Sequence, residues 1–329
     1  LHSFPTRRSS DLQLTVYITD GVQLADGSPT RTLTTPTKQI YFSVGTSTAD
    51  FNLSGPTVTI AGKTATFTGP VTTNIGVGDV IHYGGNKAYI SGKTSQSIWS
   101  VTDNRGDAPT PITLPPAVAI KRVFNSLYDA VDESSGLTND LLDEIGGPGF
   151  ENLVADNISL NVACYDDGTD TISSIEMGQL PWGLDADHKI RIFTPTNTST
   201  ECNQRQRHVG IEGGGGYKTS GGMISIGDTV NSAYCEVDGL IVSYPLTCFL
   251  IQETKGVVIS NNLILVGNGV SPYGIKISGT MPTCGNNVIK NNIIIFASPF
   301  GFGNDGIQIV TQNQDSVIRE DWIYNNTIY

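Results

Sequence analysis

Along most of this chain apolar and polar residues alternate one for one, in short runs closed by glycine, asparagine or aspartate. Successive side chains of a strand point to opposite faces, so such runs predict half-buried β-strands. Two lie near the start, LTVYI (14–18) and QIYFSV (39–44). Six more follow in close order: TVTIAG (57–62), TATFTG (64–69), DVIHYGG (79–85), KAYISG (87–92), SIWSVT (97–102) and AVAIKRV (117–123). Their spacing predicts a small antiparallel β-domain over 51–124, with the proline cluster PTPITLPP (109–116) as its longest loop.

The period then changes. Around NSLYDAVDES (125–134), Val123 just before it and Leu127 and Val131 within it recur at helical spacing. Asn125 or Ser126 can cap the free N–H groups of that first turn, and Asp129 suits its positive end. LLDEIGG (141–147) adds a turn that ends on glycine. Alternation returns in NISLNVACY (157–165) and HKIRIFTP (188–195).

Beyond residue 250 the runs repeat. VVISNNLIL (257–265), NVIKNNIII (287–295) and WIYNNTIY (322–329) align on their Asn-Asn pairs, and YGIKIS (273–278) aligns with DGIQIV (305–310). Two landmarks at nearly one period predict stacked coils, each adding a strand to every sheet, with like residues above like. Four inward columns follow: Ile259, Ile289 and Ile323; Ile264, Ile294 and Ile328; Ile275 with Ile307; Ile277 with Ile309. Asn262, Asn292 and Asn326 form an inward amide column, since a buried amide stacked on its equivalents satisfies itself without water. In the preceding coil Leu240 of VDGLIV (237–242) takes that place. The expected fold is all-β: a right-handed parallel β-helix over 157–329, preceded by the 51–124 domain and a helical cap and linker at 125–156. Residues 13–50 are expected to be an extended leader or the remnant of an upstream β-module.

Residues 1–12, LHSFPTRRSSDL, resemble a translated sequencing adapter and are set apart from fold reasoning. The last run, IYNNTIY, stops within a strand pattern, so both ends are expected to be cut.

Composition narrows the function classes. Charged residues are 15% of the chain and the net charge is −12, with 37 glycines. The basic residues never cluster as a phosphate-tracking groove requires, so nucleic acid is not an expected partner. No apolar run approaches the roughly 20 residues of a membrane span. The five cysteines form no CxxC, and their expected role is as small apolar core residues, with a Cys235–Cys248 disulfide as the alternative. Nothing in the sequence fixes an oligomeric state.

SLYDAV, NISLNVACY, KIRIFTP, GYKTS and the Asn-rich coils together resemble secreted bacterial right-handed β-helix proteins of the pectin-lyase-like superfamily. The resemblance implies that the helix at Ser126–Glu133 caps the coil stack and that the protein is secreted or at the cell surface. It also implies a possible polysaccharide partner. Superfamily enzymes cleave acidic polysaccharides, and the hydrolases share N-T-D, D-D, G-H-G and R-I-K motifs. Here Asn304–Asp305–Gly306 matches the first loosely, G-H-G is absent, and Asp166–Asp167 lies far upstream in YDDGTD. A lyase needs a basic residue beside carboxylates that hold calcium, and Lys276 with Asp305, beside Gln308, is the one such pairing on an outward face. NDG also reads as a turn before a strand. The basic spot RQRH, with Arg205, Arg207 and His208, is a candidate carbohydrate contact. GGGGY (213–217) lacks the Lys-Ser/Thr of a phosphate loop. Two function classes follow: a surface or carbohydrate-contacting scaffold, or a polysaccharide lyase or glycoside hydrolase, calcium being implied for the lyase alone.

Overall fold

The computed structural model describes residues 37–113, 118–133, 139–178, 182–227, 234–269, 272–279, 285–297, 305–311 and 321–329. The 1–12 segment, the LTVYI run and Asn304 lie outside them. The described chain is mostly β-strand, with three short helices.

From residue 158 onward the chain visits three parallel sheets in turn and then starts again one strand further along. The first sheet has seven strands: Lys38–Val44, Ile158–Cys164, Ile190–Phe193, Cys235–Asp238, Val258–Ser260, Val288–Lys290 and Trp322–Tyr324. The second has six, from Thr169–Thr171 to Thr327–Ile328, and the third has five, from Ile175–Met177 to Asp305–Thr311. Equivalent positions of the last coils are offset by 22, 30 and 34 residues. The strands keep register while the connections absorb the difference.

Stacking aligns the inward residues. In the first sheet Phe42, Val162, Ile192, Val237, Ile259, Ile289 and Ile323 are successive register partners. Ile264, Ile294 and Ile328 stand in register in the second sheet, as do Ile275 with Ile307 and Ile277 with Ile309 in the third. Most of these side chains are fully buried, and each such burial stabilises by about 1.5–3 kcal/mol. Exposure rises on the last described strands, where Ile309, Ile323 and Ile328 are partly open.

The Asn pairs divide their work. The first member of each, Asn261, Asn291 and Asn325, adopts φ of 53–56°, and Gly239 fills the same corner one coil earlier at φ 86°. Asparagine and glycine are the residues that enter this left-handed region at least cost. The second member turns inward. Asn292 Oδ1 accepts from Asn262 N at 3.0 Å and Asn262 Nδ2 at 3.1 Å. Asn326 Oδ1 accepts from Asn292 N and Nδ2, both at 3.0 Å. Each amide also donates to the strand of the coil before: Asn262 to Val237 O, Asn292 to Ile259 O and Asn326 to Ile289 O. Above them Leu240 N donates to Asn262 Oδ1 at 2.9 Å.

One expected boundary is corrected. Lys38–Val44 pairs in parallel with Ile158–Cys164 at all its positions, so it is the first strand of the first sheet and no part of a separate leader. Asn161 Nδ2 reaches back 121 residues to Ile40 O. A partner so distant leaves no local mark in QIYFSV.

The small domain is an excursion from that first strand. Val58–Ala61, Thr64–Phe67, Val80–Tyr83, Asn86–Lys93, Ile98–Thr102 and Val118–Lys121 form one antiparallel sheet over its own core, which includes Trp99 and Tyr83. Gly84 and Gly85, both at positive φ, make the two-residue turn between Val80–Tyr83 and the next strand. The chain returns where it left: Phe124 N donates to Ser43 O, and Gly45 N to Phe124 O.

Helix α1 (Leu127–Val131) follows, with Ser126 Oγ accepting from Tyr128 N. Leu127 N donates to Asp170 Oδ2 and Glu133 N to Glu176 O, so this segment covers the strands that begin the second and third sheets. α2 (Asp140–Ile145) is capped by Asn139 and ends on Gly146. α3 (Leu153–Asp156) is too short to show a helical period in the sequence.

Candidate functional site

Strand alternation gives the first sheet an outer face opposite its Ile column. One outward column runs Tyr41, Asn161, Arg191, Glu236, Val258, Val288, Trp322. Seven strands at about 4.8 Å make a strip about 29 Å long. The neighbouring column begins Ser43, Ala163, Phe193, Asp238. All four are buried, and Val77 of the small domain and Cys202 pack over Ala163 and Phe193. The small domain thus walls one side of the strip. Ala186 and Asp187, just before the Ile190–Phe193 strand, rise on another side, leaving an open cleft of about 480 Å³.

A buried cation fixes that wall. Arg122, next to the last strand of the small domain, donates from Nη1 to both oxygens of Asp79 at 2.7 Å. Its Nε and Nη2 reach Asp167 Oδ2 and Oδ1 at 2.7 and 3.0 Å, and Nη2 also reaches Asn74 O. The guanidinium lies 4.4 Å from the Phe51 ring centroid and 3.7 Å from that of Tyr165. Burial alone would lower the Arg122 pKa, but Asp79 and Asp167 outweigh it and hold the charge. Asp79, Asn74 and Phe51 belong to the small domain, Asp167 and Tyr165 to the coils. In the sequence Asp167 stands out only as half of the Asp-Asp pair in YDDGTD and Arg122 not at all, for no local pattern joins residues so far apart.

In and beside the cleft the charges are paired. Glu236 accepts from Lys189 Nζ at 2.7 Å and Arg191 Nε at 3.2 Å. Asp238 takes Arg191 Nη2 at 3.2 Å, Arg207 Nη2, Ser260 Oγ at 3.1 Å and Asn261 Nδ2 at 2.6 Å. Burial works to raise the Asp238 carboxyl, but the Asn261 bond and the Arg207 and Arg191 guanidiniums outweigh it and hold it below the usual range. Of the RQRH residues, Arg207 is therefore engaged on Asp238. His208 Nδ1 accepts from Gly210 N at 3.1 Å, so its Nε2 carries the proton toward Asn261 O at 2.9 Å. Burial lowers the His208 pKa, which agrees with this neutral ring.

Glu236 and Asp238 point outward two residues apart on one strand, a separation of roughly 6.6 Å along the backbone. Inverting glycosidases hold their two carboxyls at roughly 6.5–9.5 Å, but one of the two must have a raised pKa to act as acid. Here both are ion-paired, and Asp238 is depressed. The same pairing leaves neither carboxylate open for calcium, so the pair does not fit that ion. Among the described residues no group of three His, Cys, Asp or Glu side chains is arranged to hold a metal.

Lys276 and Asp305 are on the third sheet, away from this face. Asp305 lies on its last strand and accepts from Gln308 Nε2 at 3.1 Å. The Lys276 ammonium sits 5.2 Å from the Tyr273 ring centroid instead of on the carboxylate. The outward column there runs Glu176, Ser225, Leu250, Lys276, Gln308. Its one carboxylate, Glu176, lies four strands from the Asp305 strand, about 19 Å, beyond a carboxyl pair.

Cys164, Cys202, Cys235 and Cys248 are buried free thiols, and no disulfide joins Cys235 to Cys248. Burial pushes Cys235 and Cys248 up to about 12, far from a nucleophile's range. No described helix is long and apolar enough to cross a membrane. No protein-family model matches the chain, and neither a curated protein nor a solved structure matches it.

Proposed function

We propose that this chain is a right-handed parallel β-helix of the pectin-lyase-like kind that works outside the cell as a carbohydrate-contacting scaffold. The observation that carries the reading is the open strip on the first sheet. It runs about 29 Å, with Tyr41 near one end, Trp322 at the other, and Arg191, Glu236, Val258 and Val288 between them, while Asn161 of this column is buried. Amphipathic rings and planar polar groups on a rigid sheet suit an extended chain of hydroxyls. Ion pairing of Glu236 and Asp238 favours binding without cleavage.

The second reading, a lyase or hydrolase acting on acidic polysaccharide, rests on Glu236 and Asp238 sharing one outward face beside Arg191 and Lys189. One experiment separates the two. In affinity electrophoresis through gels holding different polysaccharides, the chain is expected to be retarded by at least one, and Tyr41→Ala to lose the retardation. Incubation with polygalacturonate and calcium is expected to release no unsaturated or reducing ends. Product release would replace the scaffold reading with the enzymatic one, and migration unaffected by every polysaccharide would remove both.

A further inference from the structure

We infer that the cleft beside Tyr41 selects neutral glycans over acidic ones, a statement that rests on the carbohydrate-contacting reading above. Charge within the cleft is balanced. Two cations line it, Lys189 and Arg191, and both are bound to Glu236, Lys189 at 2.7 Å and Arg191 at 3.2 Å. Arg191 also reaches Asp238 at 3.2 Å, and Arg207 is tied to the same carboxylate. Asp187 adds a further negative charge on the rim. A uronate entering here finds no cation free of a carboxylate, and must displace Glu236 or face it. Like charge brought against a fixed carboxylate costs affinity and slows encounter.

What the cleft does offer suits an uncharged sugar. Tyr41 is half-buried, its ring set edge-on to Phe193 at 6.4 Å between centroids. Gln39 is exposed and is held from behind by the buried Asn161, whose Nδ2 donates to Gln39 Oε1 at 3.0 Å and Ile40 O at 3.2 Å. The Arg191 guanidinium is held 4.2 Å from the Phe193 ring centroid. These groups are locked before any ligand arrives, so few rotamers remain to be frozen on binding. Neutral hydroxyls gain hydrogen bonds from such a surface, while a carboxylate gains the same bonds against the like charge of Glu236. Glu236 therefore acts as the gate on ligand charge.

The test titrates the full chain, in low-salt buffer where charge effects are largest, with hexaoses of glucose, xylose and mannose and with hexagalacturonate. At least one neutral hexaose is expected to bind about tenfold tighter than hexagalacturonate, and Glu236→Gln to shift the ratio of the two affinities about tenfold toward hexagalacturonate. Circular dichroism confirms that the variant is folded, and Glu236→Asp, which keeps the charge, is expected to keep the wild-type preference. Hexagalacturonate binding at least as tight as every neutral hexaose would overturn the inference while leaving the carbohydrate reading intact, and so would a Glu236→Gln chain with unchanged preference. Binding of no glycan would overturn both.

Discussion

Replacing Asn292 by leucine tests whether the inward amides carry the coil stack. Leucine is of similar size and already occupies this column at Leu240, so the change removes hydrogen bonds more than packing. Four bonds go: those to Asn292 Oδ1 from Asn262 N and Nδ2, and those from Asn292 Nδ2 to Ile259 O and Asn326 Oδ1. Asn262 Nδ2 keeps Val237 O, and Asn326 Oδ1 keeps the backbone donor Asn292 N. One buried group is left without a partner, the N–H of Asn262, while the carbonyl of Ile259 loses a side-chain donor but stays in the parallel ladder with the 288–290 strand. At about 1–3 kcal/mol for the orphaned donor and about 1 kcal/mol for the bond lost at Ile259 O, less some gain from the added apolar surface, the expected loss is about 2–3 kcal/mol. Urea unfolding followed by tryptophan fluorescence measures it, and hydrogen exchange at the Asn262 amide should quicken in step. Combining Asn262→Leu with Asn292→Leu should cost about 1 kcal/mol less than the two singles added, because each single breaks the same amide-to-amide bond. A single Asn292→Leu chain within about 0.5 kcal/mol of wild type would refute the ladder as a source of stability.

Two other outcomes follow from the charges. Arg122→Leu leaves Asp79 and Asp167 buried without their cation and should cost about 3–5 kcal/mol in thermal unfolding, whereas a change below about 1 kcal/mol would mean the small domain is held by its apolar contacts alone. Asp238 has a folded pKa below its unfolded value, so its ionised form contributes stability that is fully present above about pH 4 and is lost as pH falls through the folded value. Asp238→Asn should therefore flatten the fall in stability below about pH 4 and leave the slope between pH 6 and 8 unchanged, a comparison read from urea midpoints across pH.

The parts of this structure written locally were legible in the sequence. Alternating runs marked all six strands of the small domain, and the Asn-Asn pairs marked equivalent positions in successive coils. Ser126 announced its helix by capping chemistry. What escaped was non-local. The sheet role of Lys38–Val44 depends on a partner beyond the small domain, and α3 is a single turn. The outer-face cluster draws on three different strands and the 203–216 loop, so Lys189, Arg191, Glu236 and Asp238 come together only once the coils are stacked. Two carboxylates at i and i+2 in CEVD were the available signal, and the alternation rule would have placed both on one face.

The excursion that starts at Val44 and closes at Phe124 bears on how the chain folds. Pairing Lys38–Val44 with Ile158–Cys164 is a long-range event, and long loops raise the entropic barrier before any contact repays it. Closing a loop of about 80 flexible residues costs about 4 kcal/mol by the logarithmic law. The small domain has a core of its own. Folding first, it delivers Val44 and Phe124 already side by side, so the chain that then seeks Ile158–Cys164 is effectively shorter by the whole excursion. The insertion would then be the fold's own shortcut to its first pair of strands, and the order of events would be domain first, sheet second.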